Sequence, residues 1–176
     1  MSSIFERPLP DGHRDELRTM LADRPAGPRS REGSILLFRL GGVQLALPMR
    51  VAAAVAPVLH IARIPHRSGT VLLGLAAFRG DILPCCSLSR ILDLTSDSAQ
   101  ADAATAHTLI LEESPGRRWA APINAVLGVR TRRGEPTETT GPLAKQWVQG
   151  SFADDAGVYH LLDAEVLFRQ IALATA

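Results

Sequence analysis

Four groups of side chains in this sequence have the types to do chemistry, and their spacing decides what each can do. Cys85 and Cys86 are the only cysteines. An adjacent pair could supply a thiolate nucleophile or two soft metal ligands, but neighbouring strand residues point to opposite faces, and no Cys-x-x-Cys partner completes a metal set. Buried strand filler is the plainer expectation, and a cysteine-dependent enzyme is the alternative. Of the five histidines, His60 and His66 flank one loop, while His13, His107 and His160 are scattered, so a zinc centre would need a convergence that the spacing does not announce. No metal site, no catalytic residue and no cofactor are expected.

The basic residues offer more. Arg130, Arg132 and Arg133 cluster after Trp119, which could suit single-stranded nucleic acid, although a solvated hairpin end explains them as well. Arg79-Gly80-Asp81 matches an integrin-type tripeptide, but three residues recur by chance and nothing marks the chain for export. What distinguishes Arg79 is its setting in Val71–Leu94, VLLGLAAFRGDILPCCSLSRILDL, where two apolar strands enclose a tight turn. A guanidinium held on a stiff turn loses little entropy when it forks onto a carboxylate or carbonyl. That arrangement predicts docking rather than catalysis.

The elements that must hold this turn read as β-structure. Ile35–Leu40 and the alternating Val43, Leu45 and Leu47 flank Gly41-Gly42, a two-residue hairpin signal. Val51–Val58 is alanine-rich and read as a strand, and Ile61 and Ile64 lead to Pro65. Val71–Phe78 and Ile82–Cys86 pair across the Arg79 turn, where Gly80 supplies a backbone conformation that a Cβ penalises. Ser87 is placed to cap a helix with Leu88, Ile91 and Leu92 on one face. A second unit follows: His107–Leu111, Trp119–Ile123, Val126–Arg130, Trp147–Phe152 and Val158–Leu162, closed by a helix that Asp163 caps. Val43, Leu45, Val51, Val55 and Ile82 line either docking grooves or the core. Many short strands punctuated by Gly and Pro predict small β-barrels rather than a parallel α/β sheet.

Residues 1–33 form a separate extension in which Asp11 caps a short amphipathic helix bearing Leu17, Met20 and Leu21, before a Pro/Gly linker; residues 34–176 form the body. The chain is 46% hydrophobic with a net charge of +1, enough to fill a core but too balanced to draw it onto nucleic acid or an anionic membrane. There is no secretion signal and no run of about 18 apolar residues, so direct membrane insertion is not expected and a cytoplasmic location is.

At this point the residues resemble the CheW-like adaptor domain of bacterial chemosensory arrays. The pattern is Gly74-Leu75-Ala76-Ala77-Phe78-Arg79-Gly80-Asp81-Ile82-Leu83-Pro84 followed by Ser87, with ILLFRLGGVQLALPM upstream and WAAPINAVLGVRT, WVQGSF and VYHLLDAEVLF downstream, spanning about Ser34 to Phe168. The resemblance implies a mainly β fold of two interleaved SH3-like five-stranded β-barrels, with an N-terminal, a mid-chain and a C-terminal helix. It also implies a non-enzymatic scaffold that couples a chemoreceptor's cytoplasmic tip to the regulatory domain of a CheA-type histidine kinase, monomeric alone and array-forming with its partners. Gly74, Arg79 and Gly80 would lie at the receptor-facing surface, whereas the resemblance assigns no kinase-facing residue.

The sequence departs from the family pattern at three places. Ser87 stands where an aspartate cap is common, Ile123-Asn124 where Val-Asp is frequent, and no glutamate occurs in Val51–Val55. The leader, with Arg7-Pro8-Leu9-Pro10 before its helix, is similar to the extended adaptors of Wsp-type surface-sensing systems, while flagellar and pilus-linked arrays stay open. A CheW-like regulatory module working outside receptor arrays is the other alternative.

Overall fold

The structure is a computed structural model that describes residues 33–94, 106–132, 136, 143–154 and 157–175. The expected leader helix, the loop 96–105 and most of the loop 133–142 lie outside the described residues.

Strands β1 (Ser34–Leu40) and β2 (Val43–Pro48) form the expected hairpin, with Leu40 opposite Val43. Gly41 and Gly42 turn the chain with φ of 55° and 83°, two left-handed residues that only glycine adopts cheaply in succession. Next come β3 (Ala52–Pro57), β4 (Ile61–Ala62), β5 (Leu72–Phe78) and β6 (Asp81–Cys86), then the single-turn helix α1 (Leu88–Ile91). The second half holds β7 (His107–Ser114), β8 (Arg117–Ile123), β9 (Ala125–Thr131), a 3-10 turn (Lys145–Trp147), β10 (Val148–Asp154), β11 (Gly157–Leu162) and helix α2 (Ala164–Thr175).

Two sheets result, and they interleave along the chain. The first has the order β10-β11-β2-β1-β9, so it is built from both ends of the body. The second, β3-β7-β8-β6-β5-β4, is built from the middle and has six strands where five are expected. The additional strand is β4, whose two residues pair with Leu75 and Ala76 and are too few to leave an alternating pattern in the sequence. Trp147 belongs to the 3-10 turn rather than to β10, because the Trp147 amide donates to the Ala144 carbonyl at 3.0 Å instead of joining the ladder.

Side-chain alternation sorts the apolar residues into three cores. Leu36, Phe38 and Leu40 of β1 point into the core shared by both sheets, together with Leu109 and Leu111 of β7 and Leu167 and Ile171 of α2. Ile35 and Leu37, the intervening residues, pack instead with Phe152, Tyr159 and Leu161 in a second core that the first sheet supplies alone. The second sheet likewise has its own core, made by Ala76, Leu83, Cys85, Ile110 and Ala120. The central strands, such as β1 and β7, are therefore buried on two faces, which is why they read as near-continuous apolar runs. Truncating a fully enclosed residue such as Phe38 to alanine should cost about 3–5 kcal/mol.

The two predicted caps separate in detail. Asp163 Oδ1 accepts from the amides of Glu165 at 3.0 Å and Val166 at 3.1 Å, so α2 begins on a side-chain cap as expected. Ser87 occupies the N-cap position of α1, but its hydroxyl bonds the Ser89 hydroxyl at 2.9 Å and caps no amide. A helix of one turn has little to gain from such a cap, and the two buried serines satisfy each other.

Candidate functional site

The turn between β5 and β6 is built to expose one cation. Phe78 pairs with Asp81, leaving Arg79 and Gly80 as a two-residue loop with φ of 51° and 91°. Gly80 meets nothing within 4 Å of where a Cβ would stand, so its identity answers to the dihedral alone. Arg79 holds a left-handed conformation without being glycine, which costs about 1–3 kcal/mol unless its surroundings compensate. Its guanidinium carbon lies 5.1 Å above the Phe78 ring centroid, a partial compensation that also steers the side chain. Arg79 and Gly80 are exposed.

The strand that follows carries an exposed apolar side chain, Ile82, with 70% of its surface open, on the face opposite Phe78. It borders a shallow groove of about 280 Å³ lined by His60, Ala62, Leu75, Ala76 and Ala77. Of the five apolar residues that the sequence leaves between groove and core, Leu45 and Val51 are core, Val43 is partly buried against it, Val55 is 39% exposed on the edge strand β3, and Ile82 is the most exposed of them. Alternation along β6 turns Leu83 and Cys85 into the sheet's own core and Ile82 to the opposite face, which the apolar residue types alone do not distinguish.

Gly74, expected at the surface with Arg79, is buried instead. Its φ is 152°, and the Ala62 carbonyl of β4 stands where a Cβ would be. The glycine lets β4 close on a bulge in β5, so it shapes the groove from beneath.

The remaining candidates are dispersed. Cys85 enters the second sheet's core and Cys86 the shared core, and both are fully buried. Burial pushes the Cys85 thiol up to about 11, and burial, then the charge of Cys85, pushes Cys86 to about 12, far from the thiolate a nucleophile needs. Among the described residues, no group of three His, Cys, Asp or Glu could hold a metal ion. Trp119 is buried against Phe168 at 5.4 Å between ring centroids and offers no face for stacking a base. Arg130 is exposed, Arg132 lies 5.9 Å above the Phe152 ring, and Arg133 falls outside the described residues. Asn124, at the Val-Asp departure, accepts the Gly41 amide at 2.8 Å and so ties the β8–β9 junction to the β1–β2 hairpin.

No helix among the described residues is long and apolar enough to cross a membrane. Compared with known proteins, residues 34–172 match the family model described as the CheW-like domain. The chain is similar to the scaffolding protein TtCheW from Thermoanaerobacter tengcongensis, known from a crystal structure. The two are 19% identical over 74% of this chain and 88% of the other, with a TM-score of 0.60, a likeness of fold. No curated protein matches the sequence.

Proposed function

The chain belongs to the CheW-like domain family, and on that premise we propose that it is a cytoplasmic, non-enzymatic adaptor that couples a chemoreceptor's cytoplasmic tip to a CheA-type histidine kinase. The observation that carries this reading is one hairpin end that exposes two side chains, Arg79 at a strained turn and Ile82 on the strand that follows. An interface anchor needs a cation whose side chain is already steered, and a docking face needs apolar surface to bury. Both stand on a hairpin that two cores hold rigid, so little ordering is left for the encounter.

In this reading each sheet, with its private core and its bulges, is an SH3-like barrel, and the shared core locks the two together. The receptor docks at Arg79 and Ile82, with Gly80 giving the turn its shape and Gly74 keeping β4 in place. A kinase regulatory domain of similar fold takes another edge, so that weak contacts repeated in an array add up to firm assembly. Catalysis has no place in it, since neither thiol has the access or the acidity of a nucleophile.

The test is co-purification of the full chain with the receptor and kinase encoded in the same genome. Arg79→Glu and Ile82→Asp should each keep the parent's thermal melt while losing the receptor. Folded variants that retain both partners would remove the assignment.

A further inference from the structure

Arg118 sits where a second element meets the exposed turn, and no motif in the sequence marks it. Strands β6 and β8 run parallel but register at a single pair, Cys85 with Ala120. Asp81 and Arg118 lie upstream of that pair on their respective strands, at the same end of the sheet. Among the described residues no further registered pair joins β6 to β8 there, so side chains set the spacing between the two hairpin ends.

The Arg118 guanidinium spans that gap. Its Nη1 donates to Asp81 Oδ2 at 3.2 Å and its Nε to Glu112 Oε1 at 3.1 Å. Glu112 is itself fixed: it faces Arg118 in the β7–β8 register, and its amide donates to the Val51 carbonyl at 2.9 Å. Asp81 closes the turn opposite Phe78, so whatever holds Asp81 holds the base of Arg79. Side-chain exposures of 36%, 26% and 59% for Arg118, Glu112 and Asp81 place the fork at the rim, screened but not free in solvent.

We infer that Arg118 is a positioning residue: it clamps the Arg79 turn to the β7–β8 hairpin through the Asp81 carboxylate. The inference rests on the docking reading above and adds what holds the docking turn in place. Lysine cannot replace Arg118, because one ammonium does not fork onto two carboxylates in a fixed plane.

Arg118→Gln, Arg118→Lys, Asp81→Asn and the Arg118→Gln/Asp81→Asn double variant of the full chain test this by amide hydrogen exchange and by titration with a receptor cytoplasmic hairpin fragment from the same genome. Each single variant should speed exchange at Phe78 and Asp81 by about threefold to tenfold while leaving Leu109 and Ile110 unchanged, and the double variant should be no faster than either. Receptor affinity should fall about twofold to fivefold in each, with less dependence on salt in Arg118→Gln than in the parent. Unchanged exchange at the turn, additive effects, or full affinity alongside faster exchange would each overturn the inference. Arg79→Glu, run beside them, separates the two ideas: retained binding there defeats the docking reading, whereas lost binding with an inert Arg118→Gln defeats only the positioning role.

Discussion

The backbone carbonyl of Ala62 fills the space that a side chain on Gly74 would need, so β4 and β5 meet there backbone to backbone. Gly74→Ala must push β4 outward and hold a φ of 152° that alanine disfavours. Overpacking of this kind costs about 1–3 kcal/mol. The expected outcome is a lowered thermal melt and a groove opened beside Ile82, read by circular dichroism and by receptor affinity together. An alanine variant as stable as the parent would show that β4 yields freely and does not shape the docking face.

Arg79 should behave in the opposite way. The first position of its two-residue turn, at φ of 51°, favours asparagine or glycine. Arg79→Asn loses the contact with the Phe78 ring, about 0.5–1 kcal/mol, but relieves the strained dihedral, about 1–3 kcal/mol. The variant should therefore be no less stable than the parent while losing its partner, as expected where stability has been traded for function. A drop of more than about 1 kcal/mol in denaturant unfolding would mean that the arginine serves the fold instead.

The contrast between these two residues separates what residue type alone reveals from what depends on the folded neighbours. A turn is a local object, so Gly41-Gly42 and Arg79-Gly80 announce themselves through residue type. The central strands announce themselves too, because burial on two faces makes them apolar throughout. Gly74 reads as part of the surface motif only until the neighbour that covers it is known, and that neighbour, β4, has two residues and no pattern. Ser87 looks like a cap, yet a nearby hydroxyl competes for it. Arg118 owes its role to a pairing across 37 residues, which strand periodicity does not encode, and for Ile82 periodicity gives two faces without saying which one is covered.

Cys85 and Cys86 should be inert in the native state despite being adjacent and reduced. Their thiols are pushed up to about 11 and about 12, and both side chains are enclosed. Alkylation at pH 8 should proceed only through unfolding and leave receptor and kinase binding intact. The same shift fixes a sign: in the unfolded chain the thiols ionise near 9.0, while the folded chain keeps its protons to higher pH. Stability is therefore full below about pH 9 and falls as the pH climbs toward 11 and 12. A Cys85→Ala/Cys86→Ala variant should lose that alkaline decline, and rapid native-state alkylation would contradict the burial argument.

His160 should set the acid limit from within the first sheet. Its Nδ1 lies 2.8 Å from the Ser151 hydroxyl on the facing strand, and burial lowers its proton affinity below the ordinary value of 6.5. The folded chain thus holds a neutral ring at pH values where the unfolded chain already binds a proton. By linkage, stability rises with pH across that window, and the loss begins as the pH falls through about 6.5 and stops growing once the folded ring also protonates. Urea unfolding at pH 7.5 and pH 5.5 should show the decline in the parent. His160→Gln, which keeps a hydrogen-bonding side chain but cannot titrate, should be less stable at pH 7.5 yet flatter between the two pH values. An equal decline in both proteins would place the acid sensitivity on other groups and leave His160 a packing residue only.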